Sequence, residues 1–548
     1  MPEKLSRLLT VLRSGAEPNI RFFLTNRQPL VWLLALAIGL AVAVAAILFR
    51  LAIGAVQYLW LGTSAETVGS VAATINPLIV FLAPVAGGVV VGIIVHRFIP
   101  EGRPFAVADV IEARALGGRS LSLRKGLWSG AVHFLSLGAG ASAGREGPVV
   151  HLGATLSEAL CRQMKLTGSP ERTLIACGVA SAVSASFNAP IAGVLFAHEV
   201  ILGHYAMSAF VPIVISSVSG GIVSRLWFGE VAAFNIPDYS ITSYLEIPAF
   251  ALLGVTCALV AIIFQFSLIG TDYVARGISM PVWARPIIGG VIVGAIAVFF
   301  PDILGVGYET TDAALKASLP IGLMLALLVA KTAATAITLA SRFGGGIFSP
   351  SLYLGAMAGG AFGLIAASVF PDMASSEGLY AIIGMGAVAA SVLGAPISTT
   401  VIVFELTGGY ALTIALLFTV SIAVGITQAV SGRSYFHWQL ESRGLFVAEG
   451  PHRHLFRTVR VRDFFDRLPG EPEAGEPPKP FDPGEGKPYL RPGDTLETAL
   501  RMFDNSGESS VPVVDPDDAT RIIGRASQVR ALGYFNRALI DISVEEHR

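Results

Sequence analysis

Arg145 and Glu146 stand side by side in "SLGAGASAGREGPVVHLGA", residues 136–154, and are the only formally charged residues between Gly126 and Ser157. A charged side chain inside a membrane helix costs about 2.5–3.5 kcal/mol on insertion scales, so such residues usually mark an ion pathway or a proton relay. Proline suits the first turn of a helix, and the glycines before it let the chain turn sharply. The motif therefore reads as a helix N-terminus within an apolar region. Such an end presents unpaired N–H groups and about half a positive charge, which makes an anion site without a buried cation. Glu146 is itself an anion at that end. It occupies the site when ionised and vacates it when protonated, which is the behaviour of a gate and of a proton carrier. The competing reading is an Arg–Glu pair capping an ordinary helix at a headgroup boundary.

A second motif decides between them. "GPVVHLGA" (147–154) recurs as "SPSLYLGA" (349–356), and "GVASAVSASFNAPIAGVLFAHE" (178–199) recurs as "GMGAVAASVLGAPISTTVIVFE" (384–405). Pro190 pairs with Pro396, and each is followed nine residues later by a glutamate, Glu199 and Glu405. The copy at 344–350, "GGGIFSP", has the same glycines and proline with no charge. Two related halves, about 80–230 and 285–430, thus each supply a helix start that can face one ion, as transporters with internal repeats do.

The elements that carry these motifs must lie in a bilayer. The 548 residues are 53% hydrophobic and 14% charged, where a soluble chain would carry about 25% charge. Mean hydropathy is +0.66. Residues 30–49 are uncharged and long enough for one crossing. Shorter apolar pieces at 78–95, 173–198, 287–300 and 321–330 are interrupted by glycine and proline. Broken helices are tolerated at membrane depth where they are buried or line a polar cavity. Lys4, Arg7, Arg13, Arg21 and Arg27 precede the first run, which places the N-terminal segment, 1–29, in the cytoplasm. The net charge of −1 implies no nucleic-acid partner. Cys161, Cys177 and Cys257 are scattered, so neither disulfide nor zinc is indicated. His198, Glu199 and His204 suggest a zinc-protease helix, but the two histidines are six apart and cannot share a metal. His151, paired with Tyr353 in the repeat, reads as a packing residue.

The last 98 residues hold 31 of the chain's 77 charged side chains, so a membrane domain, 30–446, gives way to a soluble tail. Residues 468–493 form a Pro/Gly-rich linker, and 494–548 read as helix, strand, turn, strand. Asp494 and Glu497 suggest an N-terminal capping pair.

Taken together, "GREGP" (144–148), "GGIFSP" (345–350) and "ELTGGY" (405–410) resemble motifs of the CLC family of chloride channels and proton-coupled chloride antiporters, over about residues 30–445. The tail resembles a CBS module, with 447–467 as an abbreviated partner. The resemblance implies an all-α polytopic membrane protein of eighteen helices, an inverted-repeat fold with broken and re-entrant helices, and a small α/β cytoplasmic CBS-like domain. It implies a homodimer in the cell membrane with cytoplasmic termini and one anion pathway per subunit. Glu146 becomes the external gating glutamate. Gly144, Arg145 and Gly147 flank the anion, and Gly346, Ile347 and Phe348 supply backbone groups to it. No cofactor is expected, apart from an adenosine nucleotide as an option at the tail.

The departures from the family pattern bear on mechanism. Where the family has an anion-facing serine, this chain has Phe105, or Val107 in an alternative register. The family's anion-facing tyrosine falls at Phe436, with Tyr435 beside it. The antiporters' internal proton glutamate is Val200. That valine favours channel-like conduction of chloride or a similar small anion. Anion/proton antiport, with protons as a second partner, is the alternative, and a non-conducting sensor with a nucleotide-responsive tail is a second one.

Overall fold

Glycine and proline break the apolar sequence at matching places in the two halves, and each break ends one helix and starts the next. The structure, a computed structural model, describes residues 28–116, 121–229, 241–371, 374–407, 409–446, 459–467 and 487–547, with a few isolated positions besides. Most of the expected 1–29 segment, residues 447–455 and residues 468–486 of the expected linker lie outside the described residues. Two compact units result, Met1–Phe436 and His437–Arg548.

The first half comprises α1 (Gln28–Leu61), α2 (Val68–Ala72), α3 (Pro77–Phe98), α4 (Val107–Leu116), α5 (Leu123–Gly138), α6 (Glu146–Gln163), α7 (Ser169–Phe187), α8 (Pro190–Phe196) and α9 (Met207–Phe228). A π-helical turn, Ala197–Leu202, extends α8. The second half comprises α10 (Ile247–Gly277), α11 (Arg285–Phe299), α12 (Tyr308–Leu315), α13 (Ile321–Ala340), α14 (Phe348–Val369), α15 (Glu377–Leu393), α16 (Pro396–Thr407), α17 (Tyr410–Ser431) and α18 (Tyr435–Glu441). Eight helices among the described residues are long and apolar enough to cross a membrane. At 34 residues, α1 measures about 50 Å against a hydrocarbon core of about 30 Å, so it tilts or emerges. By contrast α15 is buried on every face, as a core helix must be when it is apolar all round. The protein is thus a multi-pass membrane protein whose first unit is all-α and built from broken helices.

The repeat is visible at atomic detail. α7 stops at left-handed Asn188 (φ 59°) and α8 begins at Pro190, while α15 stops at left-handed Gly394 (φ 68°) and α16 begins at Pro396. Glycine also lets α6 and α7 touch: a Cβ on Gly153 would stand 2.6 Å from the Gly178 carbonyl oxygen. The counterpart contact joins α14 to α15, where a Cβ on Gly355 would stand 2.7 Å from Met385 Cα. Close backbone approach through small residues is how helices associate where lipid removes the hydrophobic drive.

The two repeated glutamates cap each other's half. Glu405 accepts from the Ile191 and Ala192 amides at 3.0 and 2.7 Å, in the first turn of α8. Glu199 accepts from the Ile397 and Ser398 amides at 3.0 and 2.7 Å, and from the Ser398 hydroxyl, in the first turn of α16. Reciprocal contacts of this kind are what a twofold relation between halves produces. Each carboxylate satisfies otherwise orphaned N–H groups at the positive end of a helix dipole. Glu405→Gln keeps one acceptor oxygen and loses the charge. It should cost about 1–3 kcal/mol, read as a fall of several degrees in the unfolding midpoint of the detergent-purified protein. An unchanged midpoint would argue against the cap.

In the second unit, β1 (Asp466–Arg467), β3 (Ile522–Ser527) and β2 (Ser510–Val514) form an antiparallel sheet in the order β1-β3-β2. Helices α19 (Leu496–Ser506) and α20 (Gln528–His547) complete it. The small sheet and helices agree with the α/β tail expected from sequence. The cap of α19 is Thr495, whose Oγ accepts from the Thr498 amide at 3.1 Å, one residue later than the Asp494–Glu497 pair suggested. Asp494 instead accepts from the Arg491 amide at 2.7 Å and so closes the turn before the helix. Val459, Val461 and Phe464 pack into one core with Leu496, Phe503 and Val513, so residues 459–467 build the same unit as 490–547.

Candidate functional site

The turns that precede α6 and α14 meet. Gly144 donates its N–H to the Gly346 carbonyl and Gly346 donates to the Gly144 carbonyl, both at 2.7 Å, as an antiparallel bridge. Only glycine suits this contact: a Cβ on Gly144 would lie 2.8 Å from Glu146 Oε2. The bridge corrects one expectation from sequence. The amides of Gly144 and Gly346 fasten the two loops together, so neither is available to an anion. The amides of Gly147, Ile347 and Phe348 have no protein partner among the described residues. They belong to the two helix starts, where the dipole effect of both halves converges.

Glu146 sits at this junction and is 1% exposed. The Tyr308 hydroxyl donates to its Oε1 at 2.6 Å, and the Ser349 hydroxyl donates to its Oε2 at 2.5 Å. Arg145 Nε lies 3.9 Å from Oε1. One carboxylate is therefore held by a donor from α12 and a donor from α14, at the positive ends of α6 and α14. Tyr308 is positioned in turn by its surroundings. Lys331 of α13, fully buried, donates to the Ile303 and Gly305 carbonyls at 2.9 and 3.0 Å, which fixes the loop leading into α12. The Arg145 guanidinium lies 4.7 Å from the centre of the Tyr308 ring. Arg145 also pairs with Glu66, and Arg50 pairs with the same carboxylate oxygen at 2.8 Å.

The other residues singled out from sequence lie as follows. Phe348 contributes its amide to the α14 start, while its ring packs against Phe187 and Phe196 at 4.9 and 6.1 Å. Ile347 precedes it and is buried. Phe105 turns its ring onto His151 at 5.5 Å, and His133 Nε2 lies 2.7 Å from its carbonyl oxygen. Val107 reaches the junction from the start of α4: its Cγ2 is 3.7 Å from where a Cβ on Gly147 would stand. Asp109 explains the placement, because it accepts from the Ala106 amide at 2.8 Å and starts α4 there. Tyr435 and Phe436 open α18, both buried, just after Ser434, which packs on Gly394 at the α15–α16 break. Val200 is half-buried in the π-helical turn. His198 Nδ1 lies 2.9 Å from the His204 backbone oxygen, so these histidines are joined through ring and main chain.

Sequence reasoning missed Tyr308, Ser349, Glu66 and Lys331. Ser349 was within reach, since it lies inside "GGIFSP" as the counterpart of Gly147. Tyr308 follows "GVG", a third glycine-rich turn into a helix, but nothing in that pattern names Glu146 as its partner.

Comparison with known proteins places the fold and site in context. Residues 87–428 match the sequence profile described as voltage gated chloride channel. A chloride channel protein of Ralstonia nicotianae, ClcB-like by name, is 32% identical over 391 residues, covering 69% of this chain and 89% of that protein. The H(+)/Cl(-) exchange transporter ClcA of Vibrio cholerae is 30% identical over 355 residues, covering 63% of this chain and 75% of that protein. Among solved structures, a slow cyanobacterial Cl-/H+ antiporter superposes with a TM-score of 0.67 at 23% identity, over 75% of this chain and 97% of that one.

Proposed function

The chain belongs to the voltage-gated chloride channel family, and from that membership and the seat of Glu146 we propose that it exchanges chloride or a similar small anion for protons. The observation that carries this reading is the buried Glu146 carboxylate, held by Tyr308 and Ser349 where the starts of α6 and α14 meet. Two anions cannot share a seat of this size without mutual repulsion, so an incoming anion and the ionised carboxylate exclude one another. The amides of Gly147, Ile347 and Phe348 offer the anion its donors. Glu146 leaves as the anion arrives, takes up a proton once outside the reach of the two helix ends, and retakes the seat as it gives that proton up.

Val200 favours channel-like conduction, and the relatives support exchange over it. The Vibrio relative is named an exchange transporter, and the carboxylate that blocks the path is also a proton-binding group. With valine at position 200, a proton on that side travels by water or by another group. On the same reading the protein is a homodimer in the cell membrane with both termini cytoplasmic, and the basic residues before α1 support that side for the N-terminus.

Vesicles containing the purified protein and a pH probe test the proposal. An imposed chloride gradient should drive protons uphill, and the proton movement should stop when the gradient is collapsed. Anion flux with no proton movement would return the reading to a channel. No anion flux at all would leave the sensor reading.

A further inference from the structure

A cavity of about 250 Å³ lies against the gate, lined by Arg50, Gln57, Glu66, Arg145, Phe228 and Tyr308 among others. Three of its lining residues are charged: two arginines share the Glu66 carboxylate, and Arg145 also lies 3.9 Å from the Glu146 carboxylate behind the cavity. The Arg50 side chain is 38% exposed and that of Arg145 8%, so the pair runs from the mouth of the cavity to its floor. Each guanidinium is also seated on an aromatic ring. Arg50 lies 4.1 Å from the centre of Phe228, and Arg145 lies 4.7 Å from that of Tyr308. Neither arginine therefore depends on Glu66 alone for its position.

Glu66 is presented by a short loop between α1 and α2. Gln57, buried on α1, donates to the Thr63 and Ala65 carbonyls at 3.2 and 2.6 Å and pins that loop. The Glu66 side chain itself is 39% exposed, so the protein does not enclose it on every side. A water occupies about 30 Å³ of liquid, so the cavity has room for a small anion together with several of its waters.

We propose that this cavity is a second anion site outside the gate, where Glu66 is the resident anion and an arriving small anion displaces it from Arg50 and Arg145. The ligand class is a small monovalent anion such as chloride, bromide or nitrate. Planar guanidinium donors in a fork suit all three, with no geometric demand that separates them. The site's role in loading the gate rests on the transport reading given above; its chemistry does not. An anion held beside Arg145 waits next to Tyr308 and Glu146, which raises its local concentration where the carboxylate must yield.

Two variants of the full-length protein move the site in opposite directions. Glu66→Gln removes the competitor, and the chloride concentration giving half-maximal flux into vesicles should fall about tenfold; Arg50→Gln should raise it about tenfold. A folding defect cannot produce opposite shifts. Bromide soaked into crystals provides a readout that does not depend on transport. An anomalous peak should stand between Arg50 and Arg145, stronger in Glu66→Gln and absent in Arg50→Gln. The proposal is overturned if both variants saturate as the parent does, or if Glu66→Gln shows no bromide in the cavity. Transport with neither shift would sink this site and leave the exchange reading standing. Bromide that follows Arg50 and Glu66 in a protein without flux would do the reverse.

Discussion

Glu146→Gln should abolish proton movement while anion flux continues, rises, and loses the pH dependence that comes from this position. Glutamine matches glutamate in shape, so the Gly144–Gly346 bridge and the starts of α6 and α14 should survive. What goes is the charge. The native carboxylate accepts hydrogen bonds from two hydroxyls, and bonds to charged groups contribute about 1.5–3 kcal/mol each against about 0.5–1.5 for neutral ones. It also interacts with two helix N-termini, each contributing about 0.3–1 kcal/mol. Losing about 2.6–5 kcal/mol of hold corresponds to a shift of about a hundredfold to a few thousandfold in how often the seat is open. Anion flux should rise accordingly, until another step limits it. Uphill proton movement should drop to the level of empty vesicles, since an amide does not take up a proton in this range. Flux that is unaltered and still pH-sensitive would remove Glu146 from both roles. Faster flux with protons still driven uphill would leave it as the gate and send the search for the proton carrier elsewhere.

How much of this was legible beforehand depends on how far apart the cooperating residues lie. Helix starts are local. Glycine, then proline, then an apolar run announces a first turn, and the turns before Glu146 and Phe348 both obeyed that rule. The repeat was legible because it is a comparison of the sequence with itself. Gly144 and Gly346, which bond to each other across the junction, are 202 positions apart, the same offset as the repeated motif. What the motif did not reveal was that the bond consumes both amides. Glycine in such a loop marks a close approach, and a sequence does not say whether the approaching group is a ligand or another strand of backbone.

Glu199 and Glu405 make the same point. Their repetition was plain, but each caps a helix about 200 residues away, and no local pattern identifies a cap supplied from that distance. Positions 105 and 107 show what a register taken from "ADVIEA" leaves out: Asp109 bonds to the Ala106 amide, Val107 lies toward Gly147 and the Phe105 ring lies on His151. The loss of the family's serine and tyrosine hydroxyls suggested a site short of donors. Two other hydroxyls, on Tyr308 and Ser349, serve the carboxylate directly.

Those two hydroxyls give the second large prediction, because they act on different oxygens of one group. Tyr308→Phe removes the donor to Oε1 and keeps the ring on which Arg145 rests; Ser349→Ala removes the donor to Oε2 within the first turn of α14. Each loss of a bond to a charged acceptor is worth about 1.5–3 kcal/mol, so each single variant should raise anion flux at least tenfold and loosen exchange, with fewer protons moved per anion. With one donor gone, the carboxylate can turn to improve its bond with the other, which hides part of the cost. The double variant removes that refuge. Its flux should exceed the product of the two single effects, as coupled residues do and independent ones do not. Flux equal to the product would mean that the hydroxyls act separately. Flux no higher than the parent's in all three variants would mean that something other than these bonds keeps Glu146 in its seat.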